Sequence, residues 1–236
     1  DRSPSRGLGD VYKRQVRGMS DIGQQAVLDF RLRDDATFSN YVGDAAKNLQ
    51  LTTGMAFIWG EAGSGKSHLL QAFCHAEPSS IFLSDLPALD ASILRGLESF
   101  KLVCIDDVDQ VVADRSWQEA LFHLINDCSN ANNLLVLSAS SPAAKLDCQL
   151  RDLQTRLNGI VGIETDRLSD RERLQALKLK ATGHGFEFSD EVGRFILARA
   201  GRDMRSLVSI FEKLSQETLR AQRIVTIPFV KQILGL

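Results

Sequence analysis

Residues 55–67 read MAFIWGEAGSGKS, and this stretch decides the fold. Met55–Trp59 is an apolar run short enough for a buried strand. It leads directly into Gly60-Glu61-Ala62-Gly63-Ser64-Gly65-Lys66-Ser67, a full match to the pattern G-x-x-x-x-G-K-[ST]. Behind it, Lys66–Ala76 (KSHLLQAFCHA) reads as a helix. Strand, glycine-rich loop and helix in that order form a phosphate cradle. Gly60, Gly63 and Gly65 let the backbone curl so that its N–H groups face anionic oxygens, and the helix N-terminus adds positive partial charge. Lys66 is placed to reach the β- and γ-phosphates, and Ser67 to ligate Mg²⁺. A purely structural glycine turn has no need of the Lys-Ser pair. The expected ligand is ADP or ATP with Mg²⁺.

Working outward, four more short apolar runs alternate with helical patterns: Ile81–Ser84, Leu102–Ile105, Leu134–Ser138 and Ile160–Ile163. Ala88–Leu97 fits a helix between the first two. Trp117, Ala120, Leu121, Leu124, Ile125 and Cys128 recur at spacings of three and four, the mark of an amphipathic helix. Leu150–Leu157 reads as a shorter one. Strands and helices alternating at these lengths predict an α/β fold with a five-stranded parallel sheet covered on both faces. After about Asp166 the pattern turns wholly helical: Asp170–Thr182, Asp190–Ala200, Met204–Ala221 and Ile227–Leu234. Ser169 with Glu172 is a capping-box signature for the first of these, and Gly183–Gly185 supplies its stop. The expected organisation is an α/β nucleotide-binding domain over 34–166 and a small helical domain over 167–236.

Composition limits the alternatives. The chain has 236 residues, with Lys plus Arg 28 against Asp plus Glu 30, a formal net charge of −2. That argues against a polycationic nucleic-acid coat. No apolar stretch approaches the roughly 18–20 residues of a membrane span. Cys74, Cys104, Cys128 and Cys148 form no C-x-x-C pair and read as free thiols in a reducing compartment. His68, His75, His123 and His184 have no metal spacing. Residues 1–18 are basic, lack a hydrophobic period and lack the apolar core of a signal peptide. They read as a non-native leader or a polar tail, with Met19 as the expected start.

A second acidic motif agrees with the first. Leu102–Ile105 runs into Asp106-Asp107 about forty residues after Lys66. Carboxylates at the C-terminal end of a parallel strand lie where such sheets bind ligands. Asp106 is expected to hold Mg²⁺ through water, and Asp107 to orient or deprotonate an attacking water. Asp109 reads as a helix cap or a solvated acid.

Phe57–Ala72 resembles the phosphate-loop region of the bacterial replication initiator DnaA, and Leu102–Asp109 resembles its acidic strand end. Thr37-Phe-Ser-Asn-Tyr41-Val42 is similar to the initiator family's segment near the adenine. The resemblance runs from about Asp34 to the C-terminus and implies the AAA+ class, a five-stranded core with a helical lid. By position it implies nucleotide contacts for Tyr41, Val42 and His68, with Ser138 and Ser140 at the site called sensor 1. Leu153–Gly159 resembles the motif that carries an arginine finger, here Arg156, which acts on a neighbouring subunit's nucleotide; a plain surface arginine is the alternative. Gly201-Arg202-Asp-Met-Arg205 resembles sensor 2, with Arg202 the better match and Arg205 the spare. The stretches Glu191–Phe195 and Thr226–Leu236 resemble the Hda family of DnaA inactivators.

In an expected N-terminal arm over 19–33, Gln25-Ala-Val-Leu28-Asp-Phe30 fits the Q-x-x-L-x-F pattern of sliding-clamp-binding peptides; a strand packing on the domain is the alternative. Together these resemblances imply a cytoplasmic, nucleoid-associated negative regulator of replication. Tethered by Gln25, Leu28 and Phe30 to the DNA-loaded clamp, it would meet DnaA and drive hydrolysis of DnaA's ATP through Arg156. DNA contact is then indirect, own ATPase activity at most weak, and self-association in keeping with the class. One departure stands out: the phosphate loop is complete, whereas Hda-type loops are often degenerate. That keeps a DnaC-like helicase-loading ATPase as the alternative, with a non-catalytic adaptor as a third reading.

Overall fold

The computed structural model of the protein describes residues 32–33, 36–43, 54–200, 204–221 and 225–235. Gln25, Leu28, Phe30 and Arg202 lie outside these, and Arg205 is described only as part of a helix.

Five strands form one parallel sheet: β1 (Met55–Trp59), β2 (Ser80–Leu83), β3 (Leu102–Ile105), β4 (Leu134–Ala139) and β5 (Val161–Glu164). Their order is β2-β3-β4-β1-β5, so β1 lies inside the sheet; the chain crosses from β1 to the β2 edge, turns back there, and after β4 passes over β1 to reach β5. The register sets Ile58 of β1 opposite Ser138 of β4 and Ile163 of β5. The central strands read as nearly continuous apolar runs because both of their faces are covered.

On one face lies α1 (Lys66–Ala76). It buries Leu69, Leu70, Phe73 and Cys74 against Ala56, Ile58, Phe82, Leu102, Cys104 and Val136. Each such side chain contributes roughly 1.5–3 kcal/mol when fully removed from water. The helix α2 (Arg115–Ala131) buries Trp117, Leu121, Leu124, Ile125 and Cys128 and contacts both β4 and α3 (Arg151–Asn158). Asp114 caps α2 by accepting from the Ser116 hydroxyl and from the Ser116 and Trp117 N–H groups, which together hold its carboxyl below the usual range.

One expected element differs. Ala88–Leu97 does not form a helix; short 3₁₀ turns at Leu86–Ala88, Ala91–Leu94 and Leu97–Ser99 stand there instead. Arg95 is extended and Gly96 is left-handed at φ 80°, so the Ala91–Leu94 turn cannot run on into a continuous helix. Smaller shifts occur at β2, which starts at Ser80, and at β5, which starts at Val161.

Beyond the sheet follow α4 (Asp170–Gly183), α5 (Asp190–Ala200), α6 (Met204–Ala221) and α7 (Ile227–Leu234). They have their own apolar cluster, built from Leu177, Ala181, Phe188, Val192, Ile196, Leu207, Phe211, Leu214, Val225 and Val230. The Phe211 ring stacks on Phe186 at 5.4 Å. Ser169 and Glu172 form the capping box that the sequence announces. Among the described residues, no helix is long and apolar enough to cross a membrane.

Candidate nucleotide site

A cavity of about 330 Å³ opens where the phosphate loop, the segment before β1 and the C-terminal helices meet. Gly63, Gly65, Lys66 and Ser67 form its floor, with Asp107 beside them. One wall is Arg33, Asn40, Tyr41, Val42 and His68; the other is Leu168, Ala176, Leu177, Lys180, Val208, Ser209 and Glu212. Cavities that take small ligands are commonly about 300–1,000 Å³.

The loop's conformation depends on its glycines. Gly63 and Gly65 are left-handed, at φ 80° and 93°. A Cβ at Gly65 would also stand 3.1 Å from the Tyr41 ring. The curl this allows brings the start of α1, whose first N–H groups have no partner within the helix, to the cavity floor. Lys66 is nearly buried, and its ammonium donates to the Gly60 and Glu61 carbonyls at 2.9 and 3.3 Å. It also stands 3.9 Å from the Asp107 carboxylate.

Behind the floor is an acid–hydroxyl relay. Ser138, fully buried at the end of β4, donates its hydroxyl to Asp106. The same oxygen accepts from the Asp107 N–H at 2.8 Å. That backbone bond pins Asp107 in a left-handed conformation, φ 50°, with its carboxylate at the cavity and accepting from Gln110 at 3.3 Å. Asp106 itself is buried and does not line the cavity. Asp109 is neither a helix cap nor a solvated acid: it sits inside a 3₁₀ turn, half-buried, and accepts from the Ser140 hydroxyl and N–H. Ser140 therefore serves Asp109, one turn away from the relay that Ser138 makes.

Tyr41 and His68 meet edge to face at 5.5 Å, and burial pushes the Tyr41 hydroxyl up to about 12. The segment carrying Tyr41 is strapped to one face of α1. His68 Nε2 donates to the Thr37 carbonyl at 3.0 Å and His75 Nε2 to the Arg33 carbonyl at 2.9 Å. Between them the Gln71 amide oxygen accepts from the Arg33 N–H at 2.8 Å.

The remaining expected residues are placed as follows. Glu61 and Ala62 are exposed and do not line the cavity; Glu61 pairs with Arg167. Ser64 is buried and its hydroxyl turns away to Thr165. Arg156 is exposed on α3, apart from the cavity lining. Sequence reasoning missed Arg33 and Asn40, which the strapping of their segment to α1 brings in, and Leu168, Ala176, Leu177, Lys180 and the residues from α6, whose convergence depends on the fold of the C-terminal helices.

The donor set suits a nucleotide with magnesium. Ser67 offers a hydroxyl and Asp107 a carboxylate at the cavity, hard oxygen ligands of the kind Mg²⁺ takes alongside phosphate. Among the described residues, no cluster of three or more His, Cys, Asp or Glu side chains could hold a metal alone, so magnesium here would depend on the phosphates.

A parallel sheet with a complete phosphate loop after an internal strand, followed by a bundle of helices that walls the cavity, defines an AAA+ module. A family model described as the Hda lid domain matches residues 170–234. A Haemophilus influenzae protein described as uncharacterized is 35% identical over 233 residues, covering 91% of this chain and all of that one. The fold is similar to domain III of the Thermotoga maritima replication initiation protein DnaA, with a TM-score of 0.71 and 22% identity over 87% of this chain and 98% of that one. AMPPCP-bound DnaA from Aquifex aeolicus has a TM-score of 0.61 at 22% identity, over 80% and 68% of the two chains. The chain thus has the AAA+ fold of the DnaA domain, and its C-terminal helices belong to the Hda lid family.

Proposed function

We propose that the protein is a nucleotide-binding negative regulator of replication initiation, acting on DnaA together with the sliding clamp. The observation that carries this reading is the cavity itself, where a complete phosphate loop faces helices that match an Hda lid. Residues 34–166 form the nucleotide-binding domain and 167–236 the lid in this reading, with 19–33 the clamp-binding arm. Backbone N–H groups of Gly63–Lys66 hold the phosphates, and Lys66 leaves the loop carbonyls to pair with them. Ser67, with Asp106 behind the floor acting through water, would hold Mg²⁺, and the ion would supply positive charge to the phosphates. Tyr41, Val42 and His68 wall the base, and Arg202 or Arg205 brings lid charge to the phosphates. AMPPCP in the Aquifex DnaA structure supports an adenine nucleotide as the ligand class.

Arg156 supplies the activity in trans. Its exposed position on α3 suits a group that must enter a partner's site. A finger of this kind can contribute about 10³–10⁵ in rate in other nucleotide hydrolases. Gln25, Leu28 and Phe30 tether the protein to the clamp in the cytoplasm, at the nucleoid, and DNA is met through the clamp.

The test is hydrolysis of ATP by ATP-bound DnaA with DNA-loaded clamp, with and without this protein. Acceleration should appear with the wild-type protein, vanish with Arg156→Ala and fall with Leu28→Ala. Acceleration that survives Arg156→Ala would assign the protein an adaptor role. No acceleration by folded, nucleotide-bound protein would refute the reading and, given the complete loop, turn attention to helicase loading.

A further inference from the structure

We propose that Thr165 is a positioning residue for the phosphate loop, and that it builds the hinge before the lid helices into the phosphate cradle. This rests on the nucleotide-binding reading above.

Thr165 follows β5, far from the loop in sequence, yet it touches both the strand end that enters the loop and the middle of the loop. Its N–H donates to the Trp59 carbonyl at 2.8 Å, and its hydroxyl reaches the same carbonyl at 3.2 Å. The hydroxyl also meets the Ser64 hydroxyl at 2.7 Å, with both residues almost wholly buried. Proton bookkeeping settles the direction: Thr165 donates to Trp59, so it accepts from Ser64. Ser64 sits between the two left-handed glycines, where the loop reverses. Tying its side chain to Thr165 keeps it out of the cavity, which the flanking Gly63 and Gly65 line instead.

Gly60 shows how close the fit is. A Cβ there would stand 2.2 Å from the Thr165 hydroxyl and 2.4 Å from its carbonyl oxygen. Backbone cannot yield by that distance without moving the loop or the hinge. Two residues on, Arg167 pairs with Glu61 of the loop, and Leu168 then lines the cavity. The Arg167 pair is exposed, and such pairs contribute little. The buried hydroxyl contact is therefore the one that fixes loop against hinge.

The experiment compares Thr165→Val, which keeps the shape and deletes the hydroxyl, with Thr165→Ser, which keeps the hydroxyl. ADP affinity is measured by titration with a fluorescent ADP analogue, and the urea midpoint is recorded with and without ADP. The valine variant should bind ADP on the order of tenfold more weakly, the scale of one lost buried hydrogen bond. Serine should restore affinity, and Arg167→Ala should change it less than twofold. Ser64→Ala gives a second route if the valine variant folds poorly, and should lose affinity similarly. The double variant should lose no more than either single one. Equal ADP affinity in wild type and in the valine and Ser64 variants, with only the urea midpoint lowered, would overturn the inference while leaving nucleotide binding intact. Absence of ADP and ATP binding in the wild type would overturn both.

Discussion

Ser138→Ala isolates the relay beneath the candidate site. The hydroxyl it removes donates to a buried carboxylate, Asp106, and accepts from the Asp107 N–H at 2.8 Å. A hydrogen bond to a charged group contributes about 1.5–3 kcal/mol, and an abandoned buried partner adds desolvation cost of about 1–3 kcal/mol. The Asp107 end is only half-buried, so water recovers part of that second loss. We therefore expect about 2–4 kcal/mol of destabilisation. The assay is urea unfolding followed by tryptophan fluorescence, with the slope unchanged so that the midpoint shift reads stability alone. The loss should shrink in an Asp106→Asn background, because the charge that strengthens the bond is gone. A loss under about 0.5 kcal/mol in both backgrounds would refute the relay. A loss independent of Asp106 would assign the effect to packing instead. Ser138→Ala should also weaken magnesium-dependent nucleotide binding, since Asp107 loses the bond that fixes its backbone.

Three further outcomes test other parts of the fold. In Gly193→Ala, the new Cβ would stand 2.2 Å from Leu174 Cδ1, a side-chain end that can move, and 3.0 Å from Phe188, so the crowding should cancel the roughly 0.5–1 kcal/mol that alanine gains in a helix and leave a urea melt within about 1 kcal/mol of wild type. Asp190 is held below its ordinary value of 3.8, first by its hydrogen bond to Lys178, then by that cation's charge and by Arg194. Its contribution is thus full above the unfolded value and lost as pH falls through the folded one, so Asp190→Asn should flatten the acid limb of melting temperature against pH. Cys74, Cys104 and Cys128 are buried and Cys148 is half-buried. Burial pushes the Cys128 thiol up to about 12 and the Cys104 thiol well up. A thiol reagent should label Cys148 first in the native protein and all four only after denaturation.

The elements that sequence located well are those with local causes. β1 and α1 follow from an apolar run, a glycine loop and a 3.6-residue period; α5, α6 and α7 keep the bounds their periodicity predicts. Ala88–Leu97 reads as a helix in sequence, yet is not one, because an apolar spacing of three to four is common to one 3₁₀ turn and one α turn. Only the left-handed Gly96 and the Asp90 side chain, which accepts from Ser92, decide between them. The phosphate loop and the acids were legible as motifs because their chemistry is contiguous. Thr165 was not, since its contact with Ser64 spans 101 positions and carries no local signal. Ser138 lay between these cases: its position at a strand end was readable, its two partners were not.

The strap on α1 has a consequence for how the chain can change. His68, Gln71 and His75 hold the Arg33 N–H, the Arg33 carbonyl and the Thr37 carbonyl, all of them main-chain groups. Every residue type carries those carbonyls, and every type but proline carries that N–H. These three bonds thus survive a change of side chain at Arg33 or Thr37, while the three helix positions, and Ala36 and Phe38 where they pack on the domain, are not open to drift. What the strap cannot tolerate is a change of length. One residue inserted between Arg33 and Thr37 would set the grip of His68 against that of Gln71 and His75, so deletions and insertions there should be far rarer among working variants than substitutions.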